Sequence, residues 1–105
     1  MNNVGTCKYE EFHKQTTSEL FNQINVNINS QVFISHFLIP RLLARDANKR
    51  SAIINLSSVC AYNTSKMLGM YCGTKVFNLH FGNCLAESYS DRIDVLTTTP
   101  ASTKT

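Results

Sequence analysis

A tyrosine, a lysine and a serine in the middle of the chain have the types and spacing of a proton-transfer site. Tyr71 and Lys75 stand four residues apart at the start of an apolar helical pattern, so both side chains project from one helix face. A nearby ammonium favours phenolate over phenol, and we therefore expect Lys75 to lower the pKa of Tyr71. Ser58 precedes Tyr71 by thirteen residues and ends an apolar run. A phenol with a lowered pKa can act as a general acid or base near neutral pH.

The chain contains a second tyrosine–lysine pair with the same spacing, Tyr62 and Lys66. The residue thirteen positions before Tyr62 is Lys49, which lies in a charged turn. Tyr62 also precedes the apolar helical pattern, in a segment that we predict to be a loop. We therefore assign chemistry to Tyr71 and Lys75, and treat Tyr62 as a loop residue.

The segments around these residues predict a strand, a helix and a second strand. Residues 51–57 form a short, continuous apolar run, which is typical of a strand buried on both faces of a parallel sheet. Residues 58–68 are expected to form a loop, residues 68–89 a helix, and residues 92–97 another strand. This order predicts a βαβ unit with a right-handed crossover.

The N-terminal part of the chain predicts a long helical region. Thr16 and Glu19 have capping-box spacing, and a helical pattern runs from there to about Arg45. The asparagine-rich residues 25–29 are expected to break or bend it, and Pro40 to bend it again. An apolar stripe is predicted to face the core; its members are Leu20, Ile24, Ile28, Val32, Phe33, Phe37, Leu38, Ile39 and Leu43.

Length and composition limit the classes of function. The 105 residues suit one small domain, and a scattered net charge of +3 indicates neither a nucleic-acid nor a membrane surface. The longest apolar stretch, residues 32–43, is too short to span a bilayer, and no targeting segment is recognisable. The four cysteines form no Cys-x-x-Cys pair, so we predict no metal site and free thiols in a reducing compartment.

Five short segments, in order and with matching spacing, resemble motifs of the short-chain dehydrogenase/reductase family. The resemblance covers essentially the whole chain and implies an α/β, partial Rossmann-like fold of parallel strands with flanking helices. The segments are Asn2-Asn3-Val4-Gly5, Val26-Asn27, Asn55-Leu56-Ser57-Ser58, Tyr71-Cys72-Gly73-Thr74-Lys75, and Pro100 with Thr103.

The resemblance implies a catalytic role for four residues. Tyr71 would exchange a proton with the substrate oxygen, and Ser58 would hydrogen-bond that oxygen. Lys75 would lower the pKa of Tyr71 and hold the cofactor ribose, and Asn27 would keep a water in line with Lys75. NADP is the implied cofactor, with NAD as the alternative, and its implied contacts are Asn2, Asn3, Gly5, Tyr71, Lys75, Pro100 and Thr103.

Some assignments stay open at the level of sequence. Asn25 or Asn29 could take the place of Asn27, and Ser57 is a neighbour of Ser58. The resemblance is nearest to a branch of steroid 17-beta-dehydrogenases and very-long-chain 3-oxoacyl-CoA reductases. That branch implies a carbonyl, secondary-alcohol or lipid substrate, NADPH, and a place on the cytoplasmic face of the endoplasmic reticulum. The family also implies a homodimer formed through the two long helices.

Residues 1–105 depart from the family pattern at the cofactor site. The Gly-rich turn that receives a pyrophosphate is absent from the sequence, and with it the N-terminal Gly-rich βαβ half. Pro100-Ala101 and Ser58-Val59 also lack the glycine that is usual in each motif. We therefore expect residues 1–105 to be a single partial domain, a fragment that binds dinucleotide poorly. The alternative function is an inactive homologue that acts only by pairing through its helices.

Overall fold

The computed structural model describes residues 5–101, and the candidate residues Asn2, Asn3 and Thr103 lie outside this range. Three α-helices and two β-strands are found in the described part of the chain, joined by shorter helical turns. The main elements are α1 (Thr17–Ile24), a π-helical turn (Asn25–Asn29), α2 (Ser30–Leu43), β1 (Ser51–Leu56), α3 (Gly69–Ser88) and β2 (Ile93–Thr98). Two 3-10 turns occupy Phe12–Lys14 and Val59–Ala61.

The two strands pair in parallel and in register, with Ser51 opposite Ile93 and Leu56 opposite Thr98. Helix α3 connects them, as parallel neighbours require a crossover. The predicted strand–helix–strand order is therefore confirmed, with strand ends displaced by one residue. The whole is an α/β arrangement of parallel strands with flanking helices, a partial Rossmann-like fold.

One face of β1 is exposed, which contradicts the prediction that both faces are buried. Ser51, Ile53 and Asn55 are buried, whereas Ala52 and Ile54 are exposed in alternation with them. Successive side chains of a strand point to opposite faces, so a single covering layer buries every second residue. The apolar run alone does not tell whether one face of the strand or both faces are covered by other elements within residues 5–101.

The long N-terminal helix begins as predicted. The Thr16 hydroxyl accepts a hydrogen bond from the Glu19 amide at 3.1 Å, and the Glu19 carboxylate accepts one from the Thr16 amide at 3.3 Å. At the asparagines the helix continues through a wider π turn instead of breaking. Pro40 lies inside α2 without ending it.

The buried face of this helix is mostly polar, so the predicted apolar stripe is wrong except at its C-terminal end, where Ile39 is buried in the core and Leu43 packs against it. Its buried members follow each other at every fourth position: Gln23, Asn27, Gln31, Ser35 and Ile39. In a regular α-helix such a row drifts around the axis, because 3.6 residues make one turn. The π turn winds less per residue and so helps to keep the row on one side.

Several large apolar side chains are consequently left exposed on α1, α2 and α3. They are Phe21, Phe33, Ile34, Phe37, Leu38 and Val76. None of the helices in residues 5–101 combines the length and the apolar character needed to cross a bilayer. The apolar core itself is small and centres on Ile39, Ile53 and Ile93.

Candidate active site

The end of β1 places two serines in different environments. Ser57 is buried, and its hydroxyl donates to the main-chain carbonyl of Lys75 at 2.6 Å. Ser58 adopts an extended conformation and caps the turn Val59–Ala61, where its hydroxyl accepts from the Cys60 amide at 3.2 Å. The Ser58 side chain also lies close enough to the Tyr71 phenol to affect its pKa. Ser57 therefore anchors helix α3, and Ser58 is the serine that reaches the tyrosine.

Tyr71 and Lys75 project together from the first turns of α3. The Lys75 ammonium lies 5.6 Å from the centre of the Tyr71 ring, within the range of a cation–π contact. Lys75 is only 5% exposed, an unusual burial for a lysine. The structure thus brings Ser58, Tyr71 and Lys75 to one place, as the spacing predicted.

The predicted direction of the Tyr71 pKa shift is wrong. Burial raises the pKa of the Tyr71 phenol above its ordinary value, and the nearby Ser58 side chain only partly offsets this rise. Burial also lowers the pKa of Lys75, because the charged form loses its hydration. The sequence shows that Lys75 carries a charge, but it does not show how deeply Tyr71 and Lys75 are buried.

Asn27 lies in the π turn and is almost fully buried. Its side-chain oxygen accepts from the Thr6 amide at 2.7 Å, and its side-chain nitrogen donates to the Thr6 carbonyl at 2.7 Å. The same nitrogen donates to the Thr74 hydroxyl at 3.0 Å. Asn25 is exposed, and its side chain accepts from Asn29. Of the three asparagines, Asn27 is the one that faces helix α3.

The main-chain carbonyl of Asn27 is also occupied. It accepts a hydrogen bond from the side-chain amide of Asn78 at 2.7 Å. Asn78 is buried on α3, one turn beyond Lys75, and it also hydrogen-bonds the side-chain oxygen of Gln31. Thr74 completes the connection, because its hydroxyl donates to the Tyr71 carbonyl at 2.7 Å. A continuous hydrogen-bond chain therefore joins Asn78 to the helix turn of Tyr71.

A cavity of about 300 Å³ opens at the carboxyl ends of the strands. Four of the predicted site residues line it: Gly5, Tyr71, Lys75 and Pro100. Pro100 reaches it because the Val59 amide donates to the Pro100 carbonyl at 3.1 Å, which holds the segment after β2 beside Ser58. Ligands of open parallel sheets bind at this edge.

Several residues that the sequence interpretation missed belong to the same region. Thr6, Cys7 and Leu56 also line the cavity, as does Ser57, the alternative to Ser58, and the Asn78 side chain hydrogen-bonds the main chain of Asn27. A polar residue within an otherwise apolar helical pattern was the available signal for Asn78. The second pair is not part of the site, because Tyr62 and Lys66 are both exposed.

The model of the short chain dehydrogenase family matches residues 1–105, the entire sequence. The chain belongs to the short-chain dehydrogenase family. Its curated relatives include the human (Homo sapiens) "Inactive hydroxysteroid dehydrogenase-like protein 1", 28% identical over 94 residues. They also include a "Probable NADP-dependent dehydrogenase" of Haemophilus influenzae, 30% identical over 102 residues. The matches cover 88% and 95% of this chain, but only 28% and 39% of the two relatives.

Solved structures of short-chain dehydrogenases share this fold. A short-chain dehydrogenase from Sphingobium yanoikuyae in complex with NADPH superimposes with a TM-score of 0.89 at 26% identity, over 98% of this chain and 40% of that chain. A ketone-specific alcohol dehydrogenase from Comamonas testosteroni gives a TM-score of 0.88 at 22% identity, over 98% and 40% of the two chains. This short-chain dehydrogenase chain therefore spans well under half the length of its relatives.

Proposed function

We propose that these residues are the catalytic half of an oxidoreductase that moves hydride between a nicotinamide cofactor and a carbonyl or secondary alcohol. The observation that supports the proposal is the proximity of three groups: the Lys75 ammonium lies 5.6 Å from the centre of the Tyr71 ring, and the Ser58 side chain is close enough to the phenol to affect its pKa. Tyr71 and Lys75 also line the cavity at the strand ends, where a substrate oxygen would bind.

Tyr71 is the proton donor of this proposal. Its raised pKa keeps the phenol protonated at neutral pH, which suits the reduction of a carbonyl, since the developing alkoxide needs a proton. Ser58 donates a hydrogen bond to the same oxygen and stabilises its developing charge. Lys75 places a positive charge close to the Tyr71 ring. Asn27 hydrogen-bonds the Thr6 main chain and the Thr74 hydroxyl, and so holds these two residues in place beside the site.

The residues around the cavity fit the nicotinamide-ribose end of NADP, with NAD as the alternative. Lys75 offers a donor to ribose hydroxyls, and Gly5 and Pro100 present main chain to the cavity wall. A bound nicotinamide would supply the hydride. The sequence contains no Gly-rich turn for the pyrophosphate, so residues 1–105 alone should bind the dinucleotide weakly. Asn2, Asn3 and Thr103 remain candidate cofactor contacts.

For the substrate we propose a steroid ketone or a 3-oxoacyl-CoA. The similarity to a hydroxysteroid dehydrogenase-like protein supports this class, together with the motif variants at residues 2–5 and 24–28. We also propose that the full-length protein lies on the cytoplasmic face of the endoplasmic reticulum, as the family branch implies. We propose further that residues 1–105 form one partial domain.

A chimera tests the proposed activity. Residues 5–101 would replace the matching segment of the Sphingobium yanoikuyae dehydrogenase, whose structure contains NADPH. The purified chimera would be assayed for NADPH consumption with steroid ketones and 3-oxoacyl-CoA substrates, and its folding checked by circular dichroism. Turnover above that of a Tyr71→Phe chimera supports the proposal. A folded chimera that binds NADPH but does not turn over any carbonyl substrate contradicts it.

An inactive homologue that acts by pairing is the second candidate. Two observations favour it: the human relative carries the word inactive in its name, and large apolar side chains are exposed on the helices. Phe33 and Phe37 are 55% and 69% exposed, and an apolar face of this kind marks a protein contact. The pairing proposed is a homodimer through α1–α2 and α3. A folded, inactive chimera together with a dimeric chain would favour this function over catalysis.

A further inference from the structure

We propose that Cys60 and Cys72 form a dithiol site beside the candidate active site, which a peroxide oxidises to an intrachain disulfide. The two thiols come from different elements. Cys60 lies in the turn Val59–Ala61, and Cys72 lies in the first turn of α3. Neither has a part in the proposed hydride-transfer chemistry, so the site stands independently of that function.

The geometry brings the two sulfurs to a common space. Both residues line one cavity of about 310 Å³, together with Ser65, Gly69 and Gly73. The turn Val59–Ala61 packs against α3, and the Cys60 side chain is close enough to Cys72 to add to the rise that burial causes in the pKa of the Cys72 thiol. All four cysteines are free thiols. Two free thiols that line one cavity on packed elements are the arrangement from which we infer the disulfide.

The two other cysteines provide a contrast within the same chain. Cys7 is exposed and lines the cavity of the candidate active site. Cys84 is exposed on α3, three turns beyond Cys72. Neither of them lines the cavity that Cys60 and Cys72 share.

Exposure sets the order of the two chemical steps. Cys60 is half-buried, whereas Cys72 is 8% exposed, so peroxide reaches Cys60 first. The Cys60 sulfur attacks one peroxide oxygen, the O–O bond breaks, and a sulfenic acid and one water form. The Cys72 sulfur then attacks the Cys60 sulfur and displaces hydroxide, which takes the Cys72 proton and leaves as water. Two thiols and one peroxide thus give one disulfide and two waters.

Such a bond would connect the two segments that carry the candidate catalytic groups. The Cys60 amide donates to the Ser58 hydroxyl at 3.2 Å, and Cys72 follows Tyr71 directly in the chain. The disulfide would close a loop over residues 60–72 and fix the Ser58 turn against α3. Oxidation at this site would therefore restrict the movement of both Ser58 and Tyr71.

Peptide mapping tests the proposal on the chain itself, because trypsin places each cysteine on a separate peptide. Cleavage after Arg50, Lys66 and Lys75 leaves Cys60 in residues 51–66 and Cys72 in residues 67–75. The folded chain would be treated with stoichiometric hydrogen peroxide, alkylated, digested without reductant and analysed by mass spectrometry. We expect the intact chain to lose two hydrogen atoms and these two peptides to appear linked, a linkage that dithiothreitol removes.

Single cysteine-to-serine variants test which thiols form the disulfide. Cys84→Ser should oxidise like the wild type, whereas Cys60→Ser and Cys72→Ser should give no linked peptide, with comparable circular dichroism spectra. The proposal is overturned if the wild type links Cys7 to either residue, if disulfides form only between chains, or if the thiols oxidise singly. Because the wild type provides the main result, an unfolded variant leaves the test intact. No outcome depends on enzymatic activity.

Discussion

The side-chain amide of Asn78 on helix α3 donates a 2.7 Å hydrogen bond to the main-chain carbonyl of Asn27 in the π turn. The same amide hydrogen-bonds Gln31, so one buried side chain satisfies acceptors on two neighbouring helical segments. A buried acceptor that loses its partner costs the free energy of its desolvation. The position of Asn27, and with it the hydrogen bonds of Asn27 to Thr6 and Thr74, therefore depends on Asn78.

Asn78→Leu should lower the free energy of unfolding by about 2 kcal/mol, since it leaves the Asn27 carbonyl and the Gln31 oxygen without a donor. Urea unfolding followed by circular dichroism measures this. The matched control is Asn29→Leu, because the Asn29 amide makes an exposed hydrogen bond to Asn25 and its loss should cost under about 0.5 kcal/mol. Equal effects of the two substitutions would show that the buried network contributes little.

Gly82→Ala should destabilise the fold because α3 passes close to β2 at this point. A methyl group at Gly82 would clash with the Thr97 hydroxyl oxygen and lie 3.3 Å from the Thr97 Cβ, so the Thr97 side chain, the helix or the strand must move. We expect a loss of about 1–3 kcal/mol, despite the better helix propensity of alanine. Gly73→Ala, on the same helix with open space around it, should gain about 0.5–1 kcal/mol. A gain at both glycines would refute the close approach.

Lys75→Met should stabilise the chain at neutral pH, because the buried ammonium loses its hydration on folding. The lowered pKa fixes the sign of the pH dependence. Between its folded pKa and its ordinary value of 10.5, Lys75 binds more proton in the unfolded chain, so wild-type stability gains as pH rises. The advantage of the variant should therefore shrink toward pH 10.5. Unfolding curves of both proteins would be measured across pH 7–10.5. A stability difference that stays constant over this range would contradict the prediction, because it would show that Lys75 keeps its hydration in the folded chain.

Phe37→Asp should weaken the proposed homodimer, because it places a charge on the exposed apolar face of α2. Sedimentation equilibrium should give a dissociation constant at least about tenfold higher than that of the wild type, a cost of about 1.4 kcal/mol. Leu96→Asp is the control, since Leu96 is 58% exposed on β2, away from the helices. A dimer weakened by Leu96→Asp and not by Phe37→Asp would assign the interface to the sheet.

The strands, the helix between them and the start of α1 were predictable from local signals. The apolar runs of β1 and β2 and the capping box of Thr16 and Glu19 depend on neighbouring residues alone. The buried face of α1–α2 was not predictable in this way. Its apolar residues suggested a core stripe, but the polar row from Gln23 to Ser35 is the buried one, because it meets the polar residues of α3.

The candidate site was also predictable from local signals only in part. The spacing of Ser58, Tyr71 and Lys75 predicted their proximity, because a strand end and a helix face have fixed geometries. The choice between Ser57 and Ser58 needed tertiary contacts, since Ser57 is bound to the Lys75 carbonyl whereas Ser58 lies near the Tyr71 phenol. The pKa of Tyr71 depends on how far the phenol is withdrawn from water, and no local pattern contains that quantity.

The most direct test of the central claim is the rate of carbonyl reduction by the Sphingobium chimera with Tyr71→Phe. Loss of the phenolic proton should lower kcat by about 10²–10⁴-fold while NADPH binding is retained. Tyr62→Phe, at the second tyrosine–lysine pair, is the matched control and should leave kcat unchanged, because Tyr62 is 66% exposed. A Tyr71→Phe chimera that keeps the rate of its parent would contradict the account.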